Sequence, residues 1–78
     1  KPDLEKTAAV ASFPPPLDKK TVRSFLGLCA YFRRFIRNFA QIAAPLIRLT
    51  KDSIDFVWNE EQELAFRQIK QALLSPPI

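Results

Sequence analysis

The chain has 78 residues, twelve Lys or Arg against eight Asp or Glu, no histidine and one cysteine. That length makes one small domain, burying only about 60% of the surface its unfolded chain exposes. The residue set excludes an internal disulfide, an imidazole-based triad and a histidine- or cysteine-rich zinc site.

Apolar residues make up 47% of the chain, with seven Phe, one Tyr and one Trp, which supports a packed core and argues against wholesale disorder. No apolar run approaches the ~20 residues of a membrane span, so no membrane partner is expected. No secretory signal pattern is visible, and a start at Lys1 without methionine suggests an excised piece. The lone cysteine, Cys29, suits a reducing compartment and reads as a small buried hydrophobe.

Asp3 is positioned to cap a short helix over Leu4 to Ser12, with Leu4, Ala8 and Ala11 on one side. The proline-rich connector 13–17 ends it, since consecutive prolines favour stiff, extended backbone. Asp18 then caps a long basic helix running to about Ile36. Asn38 caps a third helix carrying Phe39, Ile42, Ala43, Leu46 and Leu49. Pro45 lies inside it, removes one donor and crowds the Gln41 carbonyl, so a kink or two short helices are expected.

Residues 51–58 read as a loop with a brief extended piece that places Phe56 and Trp58. Asn59 and Gln62 form a capping box for the last helix, whose Glu60 and Glu61 suit the positive dipole end. Ala65, Phe66, Ile69, Ala72 and Leu73 share its apolar face, and "SPP" stops it. The fold expected is all-α, a small bundle of about four helices. Phe25, Phe32, Phe35, Phe39, Phe66 and Trp58 are assigned to its core rather than to a stacking platform, and the carboxylates of the last helix to dipole and solvating roles.

Charge is segregated. Between Asp18 and Asp52 there is no acid, yet Lys19, Lys20, Arg23, Arg33, Arg34, Arg37, Arg48 and Lys51 fall there, eight of the twelve basic residues. Such a positive side suits a polyanion, or is simply a solvated surface. At ~100° per residue the second helix has two unlike faces. Val22, Phe25, Leu26, Cys29, Phe32 and Ile36 make an apolar stripe; Arg23, Gly27, Ala30, Tyr31 and Arg34 lie roughly opposite.

Gly27 is the only glycine in the chain, and glycine inside a helix costs about 1 kcal/mol relative to alanine. Either another helix packs closely there or something outside the protein approaches the backbone. Its place on the basic face favours the outside visitor. Arginine pairs with phosphate or enters a minor groove, and tyrosine lies against a sugar or base. Lys19 and Lys20 oppose the helix dipole in the first turn, a small penalty that a phosphate would reverse; solvation alone also accounts for them. The candidate nucleic-acid contacts are therefore Lys19, Lys20, Arg23, Gly27, Ala30, Tyr31 and Arg34.

The strings R-S-F-L-G-L-x-x-Y-x-R-R-F-I, A-A-P-L and W-N-E-E-x-x-x-A-F-x-x-I-K carry a resemblance over essentially the whole chain. The chain resembles the pol polyprotein of gypsy-type LTR retrotransposons, in the segment that follows the reverse-transcriptase palm. The resemblance implies a thumb subdomain that grips the template–primer, an RNA–DNA hybrid or DNA duplex, and residues 59–78 leading to the connection and ribonuclease H part. In related retroviral enzymes a thumb helix of pattern V-x-x-L-x-G-x-x-x-W lies along the minor groove. Val22, Phe25 or Leu26, Gly27 and Tyr31 match it here, with Tyr31 at the tryptophan position and Arg23 where a neutral amide stands.

On that resemblance the metal-binding aspartates lie upstream, with Mg at the palm, and this chain has no D-D pair, no cofactor of its own and no polymerase activity alone. Its partners would be the duplex and the other parts of the same polyprotein, in an intracellular setting such as the cytoplasm or a virus-like particle. The alternatives are a protein-interaction module docking an acidic partner or the rest of pol, and a helix-turn-helix reader. The latter lacks the Asn/Gln array that major-groove reading needs.

Overall fold

The computed structural model describes residues 4–74, with side chains from 8 to 73. Four helices, α1 (Leu4–Ala11), α2 (Lys19–Ala30), α3 (Phe39–Leu49) and α4 (Glu60–Leu74), are joined by extended or turn segments, and no strand occurs among the described residues. The all-α bundle expected from the sequence is the fold. A Cα radius of gyration of 12.0 Å is close to the roughly 11.5 Å expected for a folded chain of this length. The proposed Asp3 cap and the "SPP" stop lie outside the described residues.

Helix α4 packs on α3 and α1, and α2 on α3 and α1. Val10, Val22, Phe25, Cys29, Phe32, Ile36, Ala43, Leu46, Leu49, Ala65, Phe66 and Ile69 form the buried core. A chain of ring contacts crosses it, from Phe13 to Phe25 (5.2 Å between centroids), Phe25 to Phe66 (4.7 Å) and Phe66 to Trp58 (5.7 Å). Rings at 4.5–7 Å in tilted or edge-on poses add to the area they bury. Lys70 ties the connector down by donating to the Phe13 carbonyl at 2.6 Å while its Nζ stands 4.4 Å from the Phe66 centroid.

Several expectations are corrected. Among the described side chains of α1, residues 8–11, the fully buried one is Val10, whereas Ala8 is exposed and Ala11 half-buried; the Leu4 side chain lies outside the described residues. Helix α2 stops at Ala30 rather than running to Ile36; bonds from Tyr31 to Leu28, Phe32 to Cys29, Phe35 to Phe32 and Ile36 to Arg33 replace the α pattern, and Arg33–Phe35 form a 3-10 turn. A continuous helix would line up Arg33 and Arg37 one turn apart, and aromatic and β-branched residues there lose rotamer freedom. The tighter turn still buries Phe32 and Ile36 but leaves Phe35 46% exposed, so Phe35 is not core.

Asn38 does precede α3, but by adopting a left-handed backbone (φ 59°) and without a side-chain capping bond. Asparagine tolerates that conformation better than most residues. Pro45 sits within α3 as one continuous element, not two. One missing donor is offset by the buried row Ala43, Leu46 and Leu49 spanning the proline. On α4, Ala72 is exposed, and Gln62 joins Ala65, Phe66 and Ile69 on the buried face.

Candidate nucleic-acid interface

Asp18 starts α2 as expected. Its Oδ1 accepts from the Thr21 amide at 2.8 Å and the Thr21 hydroxyl at 2.6 Å. The Thr21 hydroxyl first, and then its amide, hold the Asp18 carboxyl below the usual carboxylate range. With that end fixed and Val22, Phe25 and Cys29 buried, the opposite side of α2 is forced outward: Lys20, Arg23, Gly27 and Ala30 are all exposed.

A Cβ built on Gly27 meets nothing within 4 Å. The glycine is therefore not spacing two helices of this bundle. The conformational cost of glycine in a helix is borne with no internal contact to show for it.

At the N-terminal end of this face two of the basic residues, Lys19 and Arg23, are engaged. Arg23 Nη2 donates to the Thr50 carbonyl (2.6 Å) and to Asp52 Oδ1 (3.0 Å), and Lys19 donates to the Lys51 carbonyl. Cations at the carbonyl end of a helix complement its dipole, here that of α3. At the other end Ala30, Tyr31 and Arg34 line an open cleft of about 350 Å³ with Arg33 and Phe35. Tyr31 is 52% exposed and meets Phe32 edge-on at 5.0 Å.

The seven candidate residues thus fall into three groups: Lys19 and Arg23 at the α3 corner, Gly27 and Lys20 on the open helix, and Ala30, Tyr31 and Arg34 at the cleft. Arg33 and Phe35 belong to the cleft but were missed by the helical wheel, which assumes a continuous 3.6-residue period. The R-R-F triplet at 33–35 was the available signal.

Among the described residues, Arg48 pairs with Glu61 (3.9 Å) and Arg67 with Glu63 (2.7 Å), whereas Arg33, Arg34 and Arg37 form no ion pair. Glu63 also accepts from the Trp58 indole at 2.9 Å. That indole bond first, and the Arg67 bond second, hold its carboxyl below the ordinary glutamate range. Gln62 Oε1 accepts from the Asn59 amide at 2.7 Å, one half of the expected capping box. Burial pushes the Cys29 thiol up to about 12, which fits a packing role. Among the described residues no cluster of three His, Cys, Asp or Glu side chains could hold a metal ion, and no helix is long and apolar enough to cross a membrane.

Comparison with known proteins gives this surface a context. No family model matches the chain. It is 50% identical over 72 residues, 92% of its length, to the Gag-Pol polyprotein of Woolly monkey sarcoma virus. It is 50% identical over 68 residues to that of Baboon endogenous virus, and 36% identical over 77 residues to the retrovirus-related Pol polyprotein from transposon 412 of Drosophila melanogaster. Its relatives are pol polyproteins. The chain spans only 4% of the two viral polyproteins and 6% of the transposon one, so it corresponds to a short segment of each.

Proposed function

We propose that the chain is the thumb segment of a reverse transcriptase from an LTR element, holding a template–primer duplex without reading its sequence. The observation that carries the reading is the open space over Gly27 on an exposed helix face bounded by arginines and Tyr31. The similarity to pol polyproteins supports it. A gypsy-type origin draws on the transposon relative, matched over 99% of the chain, although identity to the viral relatives is higher.

The mechanism is a mechanical one. The backbone of α2 at Gly27 lets a wide, shallow minor groove approach closely, while Tyr31 and Ala30 meet sugar edges and Lys20, Arg23 and Arg34 meet phosphates. Twelve helical residues span about 18 Å, roughly five steps along one strand. Contacts to phosphate and sugar fix position without encoding sequence. In this reading catalysis and its Mg belong to the palm, the connection and ribonuclease H parts are covalent partners, and the setting is intracellular.

The test is fluorescence anisotropy of a labelled RNA·DNA hybrid against the 78-residue chain across salt concentrations. Neutralising about three phosphates gives a slope of log K on log salt near −2.7 for a B-form duplex and somewhat shallower for weaker counterion condensation. Two unrelated sequences should bind equally. Absence of binding at low salt, or a strong preference for one sequence, would refute the reading.

A further inference from the structure

Where α2 begins and α3 ends, one carboxylate stands among cations. Asp52 is the first acid after Asp18, and its side chain is 98% exposed. It lies 3.0 Å from Arg23 Nη2, on a guanidinium that is itself 51% exposed. The same nitrogen donates to the Thr50 carbonyl, and Lys19 holds the next carbonyl, that of Lys51. The arginine is therefore aimed by one backbone oxygen, that of Thr50, and its carboxylate partner sits in open solvent.

A guanidinium donates to carboxylate and to phosphate oxygens through the same planar fork of N–H groups. An ion pair this exposed is weak and exchanges readily. We propose that the Asp52 carboxylate occupies the position of one backbone phosphate of the bound duplex, and that the incoming strand displaces it from Arg23. The inference rests on the nucleic-acid reading of the α2 face and adds a competitor to it. The Thr50 carbonyl keeps the guanidinium in place while the anion exchanges, so the site is ready on arrival of the strand. Asp52 returns when the strand leaves, which weakens the hold and hastens release. A surface that must let a duplex advance stepwise gains from such a brake on affinity.

A double-mutant cycle on the 78-residue chain, read by anisotropy of a fluorescent RNA·DNA hybrid at low salt, tests the exchange. Asp52→Asn keeps the shape and removes the charge; it should tighten binding about two- to fivefold, the ratio equivalent to an exposed pair. Arg23→Ala should weaken binding, and Asp52→Asn added to it should then give no more than the small gain of Asp55→Asn. Asp55→Asn, removing another exposed loop acid, should have the smaller effect. Equal gains from Asp52→Asn and Asp55→Asn, or a full Asp52→Asn gain that survives Arg23→Ala, would reduce the effect to general charge and overturn the exchange. Unchanged affinity in Asp52→Asn with normal wild-type binding would overturn it and leave the nucleic-acid reading standing. Failure of every variant to bind the hybrid would refute both.

Discussion

Gly27→Ala is expected to stabilise the chain and to weaken its grip on a duplex. Gly27 opens the last turn of α2, on its exposed face, and the added methyl meets nothing within 4 Å. The gain is then the helix propensity difference, about 0.8–1 kcal/mol, part of it from reduced freedom of the unfolded chain. For a domain of this size that corresponds to a rise in Tm of roughly 4–8 °C, measured by circular dichroism at 222 nm.

A groove lying against the glycine would meet the methyl instead. Overpacking a close contact costs about 1–3 kcal/mol, at least fivefold in Kd. Anisotropy with the RNA·DNA hybrid reads that loss. A Gly27→Ala chain that melts lower would show that α2 is packed differently from this arrangement. One that melts higher but binds as tightly as wild type would mean the duplex does not approach the glycine.

Other substitutions and pH changes carry further expectations. Arg34→Ala should leave melting nearly unchanged and make the salt slope shallower by about 0.7–0.9; an unchanged slope would remove Arg34 from the footprint. Asp18 and Glu63 have carboxyl pKa values depressed in the folded state. Their contribution is present above the unfolded values and is lost as pH falls through the folded ones. Acid titration followed by Trp58 fluorescence should show that loss, and Glu63→Gln should diminish it; identical acid profiles would contradict the role of the indole bond. The Cys29 thiol, raised to about 12, works in the other direction. Above pH about 9 the unfolded thiol ionises and the folded one does not, so stability falls with rising pH. Cys29→Ala should flatten that alkaline decline, and native Cys29 should react slowly with a thiol reagent; rapid modification without unfolding would refute its burial.

The helical periodicities were legible because each helix buries a stripe that the sequence spells out. Val22, Phe25 and Cys29 on α2, and Ala43, Leu46 and Leu49 on α3, lie where spacing put them. The end of α2 was not legible, because Phe32 and Ile36 fit an α stripe and the 3-10 turn buries them equally well. That one change of period moved Phe35 out to solvent and drew Arg33 into the cleft. The partners of Lys19 and Arg23 were also hidden, since residues 50–52 meet α2 only through tertiary packing. The open face over Gly27 was legible from its place opposite the apolar stripe.

Whether a duplex lies on the glycine face of α2 is tested by an amide NMR titration of the 78-residue chain with a short RNA·DNA hybrid, at low and then physiological salt. A duplex held on the glycine face gives shifts concentrated at Lys20, Arg23, Gly27, Ala30, Tyr31 and Arg34, fading as salt rises. Shifts confined to α3 and α4, or none even at low salt, would contradict that placement.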